Sequence, residues 1–85
     1  MDKIEIKLRI IRRLVKWRKW GASHTENIIG GLPSHLKGNK KVKEIIKELE
    51  KDEWIIPKIK TNETHYSLNV NKSNEILEFY EKNQE

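Results

Sequence analysis

At 85 residues the chain makes one small domain, able to bury about 60–65% of its unfolded surface around one core, with no room for a deep two-lobed active site. The lack of cysteine excludes disulfides and thiolate metal sites, so apolar packing must hold the fold, with Ile supplying much of it and Trp17, Trp20 and Trp54 as the large pieces. No run approaches the ~18 apolar residues of a membrane span and the N-terminus has no signal-peptide h-region, so a soluble cytoplasmic protein is expected.

The net charge of +5 conceals an asymmetry. Residues 1–43 carry twelve Lys/Arg against Asp2, Glu5 and Glu26, a balance of +9, whereas residues 44–85 carry six against ten acids, a balance of −4. Such polarisation suits a molecule that turns one face toward a polyanion.

From Asp2 to Trp20, two periodicities compete. Ile4 to Ile10 alternates like a strand, yet Ile4, Leu8, Ile11 and Val15 keep helical spacing, flanked by Ile10, Leu14 and Trp17. The helical pattern spans the whole segment and predicts a helix that ends at Gly21. Its polar wedge, Glu5, Arg9, Arg12, Arg13, Lys16 and Lys19, is overwhelmingly basic. Ser23-His24-Thr25-Glu26 matches a capping box, predicting a short helix through Asn27, Ile28 and Ile29 that Gly30-Gly31 stops.

The most informative segment runs from Asn39 to Asp52. Val42, Ile45, Ile46 and Leu49 fall at i, i+3, i+4 and i+7, one face of a helix. At roughly 100° per residue, Lys40, Lys47 and Lys51 lie nearly opposite that face, with Lys43 about a fifth of a turn away. Asn39 is the expected cap. The row of ammonium groups suits an anionic groove; a solvated face is the plainer explanation, and Glu44, Glu48 and Glu50 dilute the stripe.

Trp54 to Lys60 is β-branched and apolar, Thr61 to Thr64 has turn composition, and His65 to Val70 alternates with Tyr66, Leu68 and Val70 inward and His65, Ser67 and Asn69 outward. Together they predict a β-hairpin over 54–70, with Pro57 implying an edge strand. From Ser73 a last helix carries Ile76, Leu77, Phe79 and Tyr80 on one side, and residues 83–85 form a fraying tail.

Helix, short helix, helix, hairpin, helix: this α+β order over residues 1–82 resembles a winged helix-turn-helix domain with an added C-terminal helix, and is similar to small archaeal winged-helix proteins of unassigned role. The resemblance implies that helix 39–52 is the recognition element in the major groove, that hairpin 54–70 is the wing, and that a short strand lies near Trp20–Ala22. One departure is the stretch from Gly30 to Gly38, longer than the three or four residues or so usual between paired helices; either a single turn at Ser34–Lys37 fills it or the recognition helix starts before Asn39.

The resemblance implies double-stranded DNA as partner and transcriptional regulation as role. Asn39, Lys40, Lys43 and Lys47 are then the candidate groove contacts, with Asn39 also explained by capping alone. Lys58, Lys60 and His65 are candidate wing contacts, although lysines also protect an edge strand from aggregation. The arginines and lysines of the first helix would steer DNA at long range. Trp17 and Trp20 are able to stack on bases of a single strand, but Trp17 sits on the apolar margin of its helix and is expected in the core. Spacing between His24, His35 and His65 matches no metal site. No cofactor motif, nucleophile elbow or paired carboxylate marks an enzyme. A winged-helix module binding protein in a larger assembly and an RNA-binding adaptor are the competing functions. The apolar last helix points to a homodimer, or else to a lid over the first helix of its own chain.

Overall fold

The computed structural model describes residues 2–21, 23–29 and 32–83. It is an α+β fold: helix α1 (Lys3–Lys16), a single 3-10 turn (Ser34–Leu36), helix α2 (Lys40–Lys51), strands β1 (Ile55–Ile59) and β2 (Thr64–Leu68), a second 3-10 turn (Val70–Lys72) and helix α3 (Ser73–Lys82). No described helix is long and apolar enough to cross a membrane.

Helix α1 starts where Asp2 caps it, the carboxylate accepting from the Glu5 amide at 2.9 Å beside the positive helix end. It ends four residues before the expected Trp20. The stop is Arg18, whose φ of 53° leaves the right-handed region. Arg18 N donates to Val15 O and Lys19 N to Leu14 O, the paired bonds of a Schellman turn. Helix α2 ends in the same way: Glu53 at φ 61°, its amide on Glu50 O, and the Trp54 amide on Leu49 O. Neither position is glycine, so each turn costs about 1–2 kcal/mol of backbone strain that the surrounding bonds offset. Gly21 instead follows the turn, its amide donating to Leu68 O at 3.1 Å.

The buried face of α1 is Ile6, Ile10, Ile11 and Leu14, rotated from the expected one. Ile4, off the buried face, is 61% exposed, and Trp17, the C-cap residue, is 62% exposed. Trp17 is thus a surface residue, contrary to the core position expected of it. Helix α2 buries Val42, Ile45, Ile46 and Leu49 as its spacing demands. Each such aliphatic side chain taken from water contributes about 1.5–3 kcal/mol.

The segment from Ser23 to Ile29 is not the expected helix. Glu26 and Tyr66 exchange both backbone hydrogen bonds, Glu26 N to Tyr66 O at 2.9 Å and Tyr66 N to Glu26 O at 2.8 Å. The Glu26 carboxylate accepts from the Asn27 amide rather than reaching back to Ser23. A one-turn helix gains little for the dihedrals it fixes, whereas the free edge of β2 offers two ready partners. Ile28 and Leu32 anchor the segment in the core. Gly30 and Gly31, the expected helix stop, lie outside the described residues, as does Ala22. The strand expected near Trp20–Ala22 has its counterpart in the Trp20–Leu68 bridge.

Strands β1 and β2 pair antiparallel with Ile55 opposite Leu68, Pro57 opposite Tyr66 and Lys58 opposite His65. The bond from Lys60 N to Glu63 O closes the hairpin at 2.8 Å. Antiparallel alternation from that bond aims Lys58 and Ile56 at β2 and leaves Pro57 at an outward position, where its missing N–H costs nothing. Tyr66 and Leu68 are buried as expected, and so is Ile55 of β1. Two residues depart from the alternation: Val70 lies in a 3-10 turn and is 57% exposed, while Ser67 is fully buried. Asn69 breaks the strand between them, its side chain accepting from Asn71 N and donating to Glu53 O.

Helix α3 folds back on α1. Ile76 is fully buried, Phe79 and Tyr80 pack on the core, and Phe79 meets Trp54 edge-on at 5.8 Å. The Lys7 ammonium lies over both rings, 4.3 Å from that of Trp54 and 4.7 Å from that of Phe79. Of the four apolar residues behind the homodimer expectation, Ile76, Phe79 and Tyr80 pack within the chain. In the expected tail, Asn83 closes α3 by bonding Phe79 O, and residues 84–85 lie outside the described residues.

Candidate nucleic-acid interface

Asn39 begins the site. Its side chain accepts from the Lys41 amide at 2.8 Å, so α2 starts abruptly and its first lysines are held on a formed turn. Lys40, Lys41, Lys43, Lys47 and Lys51 are all exposed. Among the described residues none of them forms an ion pair.

The two flanks of this lysine row differ. On one side Glu44 turns to α1 and bonds Lys3 at 3.1 Å. That hydrogen bond, with its charge attraction, lowers the Glu44 pKa and raises that of Lys3. One of the three carboxylates that dilute the stripe is thus paired away from it. On the other side Lys43, Ile46, Lys47 and Glu50 border a groove of about 310 Å³ against Tyr66 of β2. Burial first, and the Glu50 carboxylate beside it second, push the Tyr66 phenol up to about 12.

The hairpin supplies the remaining candidates. Lys58 and Lys60 are exposed. Paired residues share a face, so Lys58 and His65 project from the side of the hairpin opposite Pro57 and Tyr66. The structure therefore gathers Asn39, Lys40, Lys43 and Lys47 on one helix and puts Lys58 and His65 on the far face of the ribbon. His65 has a partner: Nε2 lies 2.7 Å from Glu63 Oε1. Asn27 Nδ2 donates to the other oxygen of the same carboxylate, also at 2.7 Å. These bonds, the His65 contact foremost, lower the Glu63 pKa and tie the hairpin tip to the segment that carries Asn27.

No family model, curated protein or solved structure matches this chain.

Sequence reasoning passed over Lys41 and Glu63, and it expected Trp17 in the core. Lys41 was legible as an exposed position flanking the stripe. The role of Glu63 depends on a partner distant in sequence and left no local signal. The exposure of Trp17 follows from where α1 stops, which periodicity does not fix. Among the described residues no group of His, Asp and Glu could hold a metal ion.

Proposed function

We propose that this chain is a winged-helix protein that binds double-stranded DNA and serves as a transcriptional regulator. Helix α2 enters the major groove, Asn39, Lys40 and Lys43 nearest the bases and Lys47 on the phosphates, while the β1–β2 hairpin acts as wing, with Lys58 and Lys60 on flanking backbone. The observation that carries this reading is the exposed, unpaired lysine row of α2, next to a Glu44 withdrawn into an ion pair with Lys3. Ammonium groups that the fold does not use are free to displace counterions from a polyanion.

Duplex affinity measured against salt tests it. A protein contacting several phosphates loses orders of magnitude between about 50 and 200 mM salt. Lys43→Ala and Lys47→Ala should each weaken binding uniformly across sequences and lower the salt slope by about one. Unchanged affinity in both folded variants removes α2 from the interface.

A further inference from the structure

Between Glu5 and Glu26 the chain has seven Lys/Arg and no Asp or Glu. In the middle of the run, at the end of α1, stands Trp17, 62% exposed. Its backbone amide still bonds Arg13 O at 3.0 Å, so the indole follows Arg13 by one turn along the same side of the helix. Lys16 and Arg18 are exposed on either side of it in sequence. Arg18 holds the left-handed conformation at φ 53°, which L side chains adopt at a cost, and the chain turns away immediately behind the ring. Among the described residues the one ion pair these cations make is that of Arg13 Nη2 with Glu26, at 3.9 Å, and Arg13 Nε is buried without a hydrogen-bond partner.

An indole gains most by leaving water, and this one is left there among cations. Ile4, the other exposed large apolar residue of α1, is about 20 Å away along the helix. Along the chain the exposed indole is flanked by the exposed Lys16 and Arg18 rather than by apolar residues, unlike the apolar surfaces that seat a protein partner or insert into lipid. It matches a base with phosphates on either side: the ring takes the base face, the ammonium and guanidinium groups take the backbone.

We infer that the C-terminal end of α1 is a second nucleic-acid site, in which Trp17 stacks on an unpaired base of a single strand while Lys16 and Arg18 contact the adjoining phosphates. This site is separate from α2 and does not depend on the duplex reading. A duplex conceals its base faces, so the ring selects strand ends, bubbles or single strands.

The test is titration of a labelled single-stranded oligothymidine at low salt, followed by anisotropy and by quenching of indole emission, with the same variants run on duplex. Trp17→Ala should lose about tenfold in oligothymidine affinity, and Trp17→Phe less, since a smaller ring stacks more weakly. Quenching should vanish in Trp17→Phe although Trp20 and Trp54 remain. The double variant Lys43→Ala/Lys47→Ala should keep oligothymidine binding, even if its duplex binding falls. Oligothymidine affinity equal in Trp17→Ala and the parent overturns the site, as does absence of binding by the parent. Loss of oligothymidine binding in the α2 double variant equal to that in Trp17→Ala also overturns it. So does tighter binding to anionic-lipid vesicles that Trp17→Ala abolishes, which would assign the indole to a membrane surface.

Discussion

Along α1, Lys3 holds Glu44, Lys7 lies over Trp54 and Phe79, and Arg13 reaches toward Glu26. Along α2, none of Lys40, Lys43, Lys47 and Lys51 forms an ion pair among the described residues. Both helices look basic in sequence, and composition ranks α1 the richer. The structure separates them by use: part of the charge on α1 joins the helices to one another, with Glu44 of α2 as one partner, while the lysines of α2 make no ion pair among the described residues. Charge that a fold does not need is where a polyanion site is best sought, and the free end of α1 beyond Arg13 belongs with α2 in that respect.

The harshest way to probe the contrast is to remove what α1 leans on. Truncation before Ser73 deletes Ile76, fully buried, and Phe79, one of the two rings under Lys7. An unfolded chain by circular dichroism is expected. A folded truncation product would show that α3 is dispensable to the core and return it to the role of an interface between copies.

A paired substitution is gentler. Arg13→Ala removes a half-buried partner of Glu26 and should lower stability by about 1 kcal/mol, an effect reduced by the solvent reaching both groups. Lys47→Ala should leave stability unchanged in urea unfolding while weakening duplex binding. Equal stability losses in the two variants would abolish the distinction between structural and idle cations.

The smallest expected effect sharpens the boundary between α2 and the hairpin. The Tyr66 phenol is raised from 10.0 to about 12 by burial and by Glu50. An unfolded chain therefore releases that proton first as pH rises, so the contribution is complete below pH 10 and is lost between 10 and about 12. Tyr66→Phe should lack this component of alkaline destabilisation. A variant whose unfolding midpoint falls with pH as steeply as the parent's would mean that the phenol is not enclosed by the groove.

Much of this was legible because α2 satisfies its requirements locally. Val42, Ile45, Ile46 and Leu49 set the phase and Asn39 sets the start, and all five behave as their spacing and chemistry demand. The α+β class and the hairpin were legible for the same reason. What sequence misjudged was decided by partners far along the chain. The Ser23–Glu26 capping box lost to the edge of β2, which offered Glu26 two backbone bonds. The phase of α1 was taken from Ile4 and Val15, but Ile6 is the residue that faces inward, because α2 and α3 determine which side is covered. The termini of both long helices rest on Arg18 and Glu53 in a conformation that glycine usually supplies, so no residue type announced them. In the candidate site, the lysine row could be read from periodicity, whereas the Lys3–Glu44 and Asn27–Glu63 contacts that shape its surroundings could not.

Leu68 has a consequence for how the chain assembles. Its amide donates to Lys19 O at 2.7 Å, its carbonyl accepts from Gly21, and its side chain is wholly enclosed opposite Ile55. One residue thus joins the exit of the first helix to the second strand, two segments from opposite ends of the chain. Bringing them together closes a long loop before the local elements gain from it, which makes this junction a late event in folding and a slow one to reopen. In deuterium the Leu68 amide should therefore be among the last to exchange, doing so only when the whole molecule opens.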